Sequence, residues 1–566
     1  MLAGAVVLAV VTLASCGQET PTEPPPEPVA LFLAPASFSL VPGDTLRMAA
    51  VVRYSDGSVR SVTDRARWRS SAPAVAGVTQ RGVVDGRAAG AARIEARALG
   101  RSASATVRVG PASMGPLRVS TRNPRYFENP AGRIVYLAGA HTWADLIDSG
   151  PSDPPPRFDD ERFLDMLQSH GHNVTRLWAW EQAHWTAETE GEYFFSPLAY
   201  RRTGPGRALD GKPRFDLTRP DPAYFARLRQ RVLAARERGI YAIVMLFDGW
   251  SVEKKGPQLR NPWAGHPYNR ANNVNGVDGD PDGDGSGAET HRLVVPRVTR
   301  FQEAYVRRVV DTIGDQPNVL YEISNESSPG SIPWQEHMAR VIRKRERARG
   351  LAPHPVGITS EYPDGRNADL VGSSADWISP NGSIDDPEAA DGRKVVLYDT
   401  DHLCGVCGDP GWPWRSLTRG LNPLFMDVYD AEAVGLGALG IDSSDPRWSR
   451  IRRALGVTRA VAESLDLARL APRADLASSG YCLADPSPTG LYLVYVPEGG
   501  EVEVDLSGTP GRMRATWIRT LTGATEDGGE VAGGARRRLA APFEGEAALI
   551  LRAPARSGPA GAVAPG

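Results

Sequence analysis

Asn318-Val-Leu-Tyr-Glu-Ile-Ser-Asn-Glu-Ser327 decides how the rest of the chain is read. Asn318 to Ser324 is a short apolar run bounded by Gly314 and Pro317 upstream and by Pro329-Gly330 downstream, the pattern of a buried strand. A strand carries whatever follows it to its own C-terminal edge. Here that is Asn325-Glu326, an amide beside a carboxylate, and where parallel strands close into a (β/α)8 barrel that edge is the catalytic face. Taken alone, the same dipeptide would equally serve as a loop acid capping the next helix. The surrounding chain supplies the distinction.

Outward from this stretch, strand-like and helical runs alternate from about residue 117 to 475, which argues for βα units around a parallel sheet. The strands are read at Ile134 to Ala140, Asn173 to Trp178, Ile240 to Phe247, Asn318 to Ser324, Val356 to Thr359, Trp377 to Ser379, Lys394 to Tyr398 and Pro423 to Met426. Helices are read from about Asp159 to Ser169, over Pro222 to Arg238 with Pro in the first turn and Gly239 at the end, and over Arg300 to Ile313. Eight strands in order predict a (β/α)8 barrel over 117–475.

The residues that follow these strands share one rim. They are His141 and Trp143; Arg176, Trp178, Trp180 and Glu181; Asp248 and Trp250; Asn325 and Glu326; Glu361; Asp399, Asp401 and His402; and Asp427. Sugars present hydroxyls at their edges and apolar C–H faces, so indole rings beside acids and amides suit a carbohydrate site.

The flanks read differently. Residues 30–112 alternate apolar and polar positions in short runs, including Thr45 to Tyr54, Gly82 to Ala88, Ala92 to Ala98 and Ala103 to Val109, which predicts a β-sandwich. Alternation returns over 476–553 at Leu491 to Val496, Glu501 to Leu506, Arg514 to Arg519 and Ala547 to Leu551, predicting a second, C-terminal β-sandwich before a disordered tail at 554–566. Residues 2 to 15 are an apolar run too short to span a membrane comfortably, ending in Leu13-Ala14-Ser15-Cys16-Gly17. That ending resembles the lipobox of bacterial lipoproteins. It implies a signal peptide over 1–16, lipid on Cys16, anchorage to the outer membrane and a cell-envelope location, with the Pro-rich linker 17–29 as a semi-rigid tether. Net charge is −2 with both signs well mixed, so there is no basic patch for nucleic acid.

Asp278-Gly-Asp280-Pro-Asp282-Gly283-Asp284-Gly-Ser286-Gly-Ala-Glu289 fits the D-x-[DN]-x-[DN]-G-x5-E calcium loop, and predicts a structural Ca2+ on Asp278, Asp280, Asp282, Asp284 and Glu289. No organic cofactor is expected. Cys404 and Cys407 could pair across a tight loop, leaving Cys482 over.

Ile134-Val-Tyr-Leu-Ala-Gly-Ala-His-Thr-Trp143, Arg176-Leu-Trp-Ala-Trp180 and Tyr321-Glu-Ile-Ser-Asn-Glu326 resemble clan A glycoside hydrolases near the cellulase-like family 5 barrels. Tyr481-Cys-Leu-Ala484, Tyr492 to Gly499, Trp517 and Thr522-Gly523 are similar to a collagen-binding-type module appended to such barrels. Val41 to Thr45, Tyr54 to Gly57 and Trp68 look like bacterial Ig-like domains of the intimin type. The barrel resemblance implies Glu326 as acid/base, Asn325 on a substrate hydroxyl and Arg176 beneath the nucleophile. The clan places a Glu nucleophile at the end of strand seven. Asp399 stands there instead, with Asp401 and Glu361 as alternatives. The expected function is a surface-anchored glycoside hydrolase, retaining in mechanism, that cleaves a poly- or oligosaccharide with two carboxylates. His141, Trp143, Trp178, Trp180, Asp248, Trp250 and His402 are expected along its substrate site. The competing reading is a non-catalytic carbohydrate- or matrix-binding lipoprotein. A peptidase is disfavoured because neither H-E-x-x-H nor G-x-S-x-G occurs.

Overall fold

The computed structural model describes residues 26–35, 37–40, 45–88, 90–109, 115–187, 191–255, 261–429 and 442–554. The expected signal peptide with Cys16, most of the linker and nearly all of the tail lie outside these residues. Among the described residues no helix is long and apolar enough to cross a membrane.

Eight parallel strands close into a barrel: Gly139–His141, Val174–Leu177, Tyr241–Asp248, Val319–Asn325, Val356–Thr359, Trp377–Ser379, Val395–Asp399 and Asn422–Met426. They follow chain order, and the first pairs with both the second and the eighth. The periodicity located all eight to within a few residues except the first. Ile134–Val135 pairs antiparallel with Phe127–Glu128 in a small separate sheet, and only Gly139–His141 joins the barrel. Side-chain amides replace the missing ladder. Leu137 N donates to Asn422 Oδ1 at 3.1 Å and Ala138 N to Asn173 Oδ1 at 3.0 Å. Asn318 works similarly at the head of strand four, its Nδ2 bonding the carbonyls of Val232 and Ile240 at 3.0 Å each.

That small sheet closes one barrel mouth, where Leu117 and Phe127 pack with Val174, Ile243, Leu320, Leu397 and Leu424 in one buried cluster. Side chains two apart on a strand share a face. The face that buries Val174 therefore also carries Arg176, that of Leu320 carries Glu322, and that of Leu397 carries Asp399. The strands run from an apolar plug toward a charged C-terminal end.

Other elements escaped the sequence reading. Antiparallel strands at Asp148–Gly150, His184–Ala187, Gly191–Ser196, Tyr200–Arg207 and Pro213–Pro220 are decorated by polar turns, and the helices Ile332–Arg349 and Pro446–Ser464 complete the outer ring. In the N-terminal unit three small sheets share one core around Trp68. The run Thr45 to Tyr54 divides at Met48, whose N bonds Gly82 O at 2.8 Å, so that Thr45–Arg47 and Ala49–Tyr54 enter different sheets. Residues 471–552 form a six-stranded sheet and a two-stranded ladder, with Tyr492, Val494, Val502, Val504 and Trp517 in one core. Trp414 ties this unit to the barrel, stacking on Tyr495 at 6.1 Å and donating to Thr520 O at 3.2 Å. Cys404 and Cys407 are disulfide-bonded, and Cys482 is free and buried.

Barrel strands one and two approach closely at Gly139, where a Cβ would lie 1.9 Å from Val174 O. A backbone atom in a ladder cannot move aside. Gly139→Ala should therefore cost about 1–3 kcal/mol in a urea melt. Gly372→Ala, with nothing within 4 Å of the added carbon, should leave the midpoint unchanged or higher.

Candidate active site

Arg176 and Glu322, both fully buried, meet inside the barrel. Arg176 Nε donates to Glu322 Oε2 at 2.8 Å and Nη2 to Oε1 at 2.6 Å, a two-pronged pairing. The same guanidinium reaches Asn325 Oδ1 at 2.8 Å, Asp401 Oδ2 at 3.0 Å and Asp399 Oδ2 at 3.4 Å. One cation thus fixes the ends of strands four and seven. It also faces three carboxylates, so the three cannot be equally acidic.

Asp399 has the most partners. His141 Nε2 lies 3.0 Å from its Oδ1, and Asp401 N donates to the same oxygen at 3.0 Å. Burial would raise its carboxyl, but His141 and Arg176 hold it well below the usual range. Asp401 sits two residues on, in the first turn of Thr400–Cys404. Its side chain is 9% exposed against 1% for Asp399. Burial, opposed by Arg176 and reinforced by Asp399, lifts it to about 6.

Glu326 is held in the left-handed region at φ 40°, a strained conformation for a non-glycine residue. Thr359 Oγ1 pins it, accepting from Glu326 N at 3.2 Å and donating to Ser324 O at 2.7 Å. Gly249 permits close packing behind it, since a Cβ there would fall 2.2 Å from Glu326 O. Trp250 Nε1 donates to Glu326 Oε2 at 2.5 Å. Burial, with the charge of Asp401 next, pushes the Glu326 carboxyl up to about 8. Asp401 is the carboxylate whose charge weighs most on Glu326. Asp399, the acid expected to face Glu326, has its oxygens engaged by His141, Arg176 and the Asp401 amide.

Further expectations change for related reasons. Glu361 turns one oxygen to a helix. Its Oε1 accepts from Ser331 N at 2.6 Å, Ser331 Oγ at 2.9 Å and Ile332 N at 3.1 Å, which caps the helix Ile332–Arg349. Trp178 and Trp180 are buried below the rim and pack on each other and on Trp143, while Arg176 lies 4.8 Å over the Trp178 ring. The aromatic face beside Glu326 is Trp250 stacked on Tyr362 at 5.6 Å, with Tyr362 37% exposed.

His141, Asp248 and His402, all buried, position other groups. Asp248 Oδ1 accepts from Asn325 Nδ2 at 3.2 Å, and burial raises its carboxyl to about 7. His402 Nε2 lies 2.9 Å from Asn325 Oδ1 and its Nδ1 2.7 Å from Ser379 Oγ. Burial lowers this imidazole to about 3, so it is neutral and donates from Nε2. Asn325 then has one Nδ2 hydrogen uncommitted. Asp427, at the end of strand eight, pairs with Arg452 on the outer helix Pro446–Ser464.

In the acidic loop, single carboxylate oxygens of Asp280, Asp282 and Glu289 lie within 4.8 Å of one another. Asp278 and Asp284 fall outside that cluster, Asp278 Oδ2 lying 3.9 Å from Arg270 and Asp284 Oδ1 accepting from Ser286 N at 2.7 Å.

Glu322, Thr359, Tyr362, Ser379, His266 and His291 were not anticipated. Glu322 carried a signal, because an acid in an apolar strand, on the face of Leu320, demands an interior partner and Arg176 is the matching cation. The two histidines flank Glu181 at 3.5 and 3.3 Å. Burial alone would raise Glu181, but His266 and His291 bring it down to about 2.

Residues 31–108 match the bacterial Ig-like domain (group 2) family. A stretch of 106 residues is 31% identical to ice-binding protein 1 of Shewanella frigidimarina (strain NCIMB 400), covering 19% of this chain and 12% of that protein's length. Two crystal structures from Bacteroides vulgatus ATCC 8482 are similar in fold. One, a glycoside hydrolase of family 5, has a TM-score of 0.51 at 13% identity over 78% of this chain and 93% of its own. The other, assigned provisionally as a glycoside hydrolase, has a TM-score of 0.52 at 12% identity over 92% and 95%. The barrel has the fold of the family 5 glycoside hydrolases.

Glu361→Ala should lower stability by about 0.5–2 kcal/mol through the lost cap. Because Glu361 is turned to the helix, sugar binding by the folded variant should match that of the unmodified protein; a large loss of affinity at unchanged stability would return Glu361 to the site.

Proposed function

We propose that the protein is a glycoside hydrolase that cleaves O-glycosidic bonds of a poly- or oligosaccharide with retention, using Glu326 as acid/base and Asp401 as nucleophile. One observation carries this reading: past the ends of strands four and seven stand two carboxylates, Asp401 held by Arg176 and Glu326 beside an aromatic face, and the charge of Asp401 adds to burial in raising the proton affinity of Glu326. At neutral pH Glu326 holds a proton and Asp401 is ionised, the states that the first step requires. Asp401 attacks the anomeric carbon while Glu326 protonates the departing oxygen. The resulting ester removes the negative charge that raised Glu326. Its carboxyl then becomes more acidic and can take the proton of the incoming water, which releases the sugar and restores Asp401. Asp399 is a positioning residue, holding the Asp401 amide and Arg176.

The lipobox-like ending at Cys16 supports attachment to the outer membrane or cell surface, with the Pro-rich linker and the Ig-like domain as spacers. The similarity of the C-terminal unit to collagen-binding-type modules supports an accessory binding role there.

A panel of polysaccharides incubated with the full chain tests the reading. Turnover of at least one, falling by roughly 10²–10⁴ in Glu326→Gln, is the expected result. Binding without turnover across the panel would support the non-catalytic alternative. On a cleaved substrate the rate should be bell-shaped in pH. Below about 6 Asp401 takes a proton and ceases to be a nucleophile; above about 8 Glu326 loses the proton it must donate. Asp401→Gly should be rescued by azide with a glycosyl azide of inverted configuration, and rescue of Asp399→Gly alone would reverse the assignment.

A further inference from the structure

The loop between barrel strand three and the helix Pro296–Ile313 brings five acids into twelve residues, Asp278 to Glu289. Among the described residues the one ion pair to any of them is Arg270 with Asp278. Glu289 differs from the rest. It is 9% exposed, and its Oε1 is sealed from solvent with no hydrogen-bond partner. A buried carboxylate oxygen without a donor is costly to keep, unless a cation supplies what the chain does not. Asp280 and Asp282 each bring one carboxylate oxygen within 4.8 Å of a Glu289 carboxylate oxygen. Three hard oxygen donors on a loop with carbonyls and water at hand suit calcium, which accepts irregular geometry, better than a soft metal.

The position of Glu289 connects this cluster to the candidate active site. It lies in the turn Ala288–His291, and His291 Nδ1 is 2.9 Å from Ser327 Oγ, next to Glu326. A second tie runs from Ser286 Oγ to Glu253 Oε2 at 3.3 Å, and Glu253 in turn bonds Ser328. The loop also packs tightly at Gly287, where a Cβ would meet Trp263 at 2.1 Å. We propose that Asp280, Asp282 and Glu289 bind one calcium ion, and that this ion fixes the turn Ala288–His291 so that His291 stays on Ser327 beside Glu326. The assignment differs from the sequence motif in leaving Asp278 and Asp284 out of the ligand set. Its coupling to Glu326 builds on the proposed function, but neither readout below needs catalysis.

Isothermal titration of the chelator-treated full chain with calcium chloride should give one site. Glu289→Gln and Asp282→Asn should each weaken it by roughly tenfold or more, since affinity follows ligand charge count, and Asp278→Asn should leave it within about twofold. Hydrogen exchange with and without calcium should slow at 286–291 and again at 325–328. Absence of calcium heat in the folded protein overturns the site, and an Asp278→Asn loss as large as that of Glu289→Gln overturns the three-residue ligand set. Protection confined to 286–291 overturns the link to Ser327.

Discussion

The Arg176–Glu322 pair is the constraint on which the upper half of the barrel depends. A charge in a barrel interior must be fully partnered, and removing one member of such a pair costs about 3–5 kcal/mol because the other is left stranded. Glu322 occupies two donors of Arg176 and thereby fixes the plane of the guanidinium. The remaining reach of that group falls on Asn325, Asp399 and Asp401. Strands four and seven are separated by two others in the barrel, yet their ends are aligned by one side chain. The acidity ranking follows from the same geometry: Asp399, with His141 as an additional partner, keeps the lowest affinity for a proton, while Glu326, which receives one indole N–H, keeps the highest.

The glycines and small residues around Glu326 complete this arrangement. Gly249 lets the strand-three turn close against the Glu326 carbonyl, and Thr359 on strand five holds the backbone in its positive-φ conformation. Three neighbouring strands thus aim one carboxyl at the space above Arg176. Trp250 and Tyr362 bound that space with an apolar face suited to the C–H surface of a sugar.

The barrel strands were legible because each is a short apolar run between polar turns, and the residues after them could be read as a rim without knowing any contact. Strand one was overextended because Leu137 and Ala138 look like strand residues but bond to the amides of Asn422 and Asn173 rather than to a ladder. Roles were harder to read than positions. Asp399 and Asp401 are two residues apart and chemically identical, and only the fold shows that His141 and the Asp401 amide occupy the first and leave the second more open. Glu361 was misplaced because its use is set by Ser331, thirty positions away in the chain. Trp178 and Trp180 likewise follow a strand end, as a sugar platform would, but turn beneath the rim, where Arg176 and His141 stack on the Trp178 ring.

The central claim is that the charge of Asp401, added to burial, keeps the proton on Glu326. Titration of the Glu326 carboxyl by carbon-13 resonance in the full chain and in Asp401→Asn tests it without any substrate. The account predicts that the Glu326 pKa lies well above the usual carboxylate range in the unmodified protein and moves down when Asp401 loses its charge. A Glu326 that titrates like an ordinary glutamate, or that is unmoved by Asp401→Asn, would contradict it.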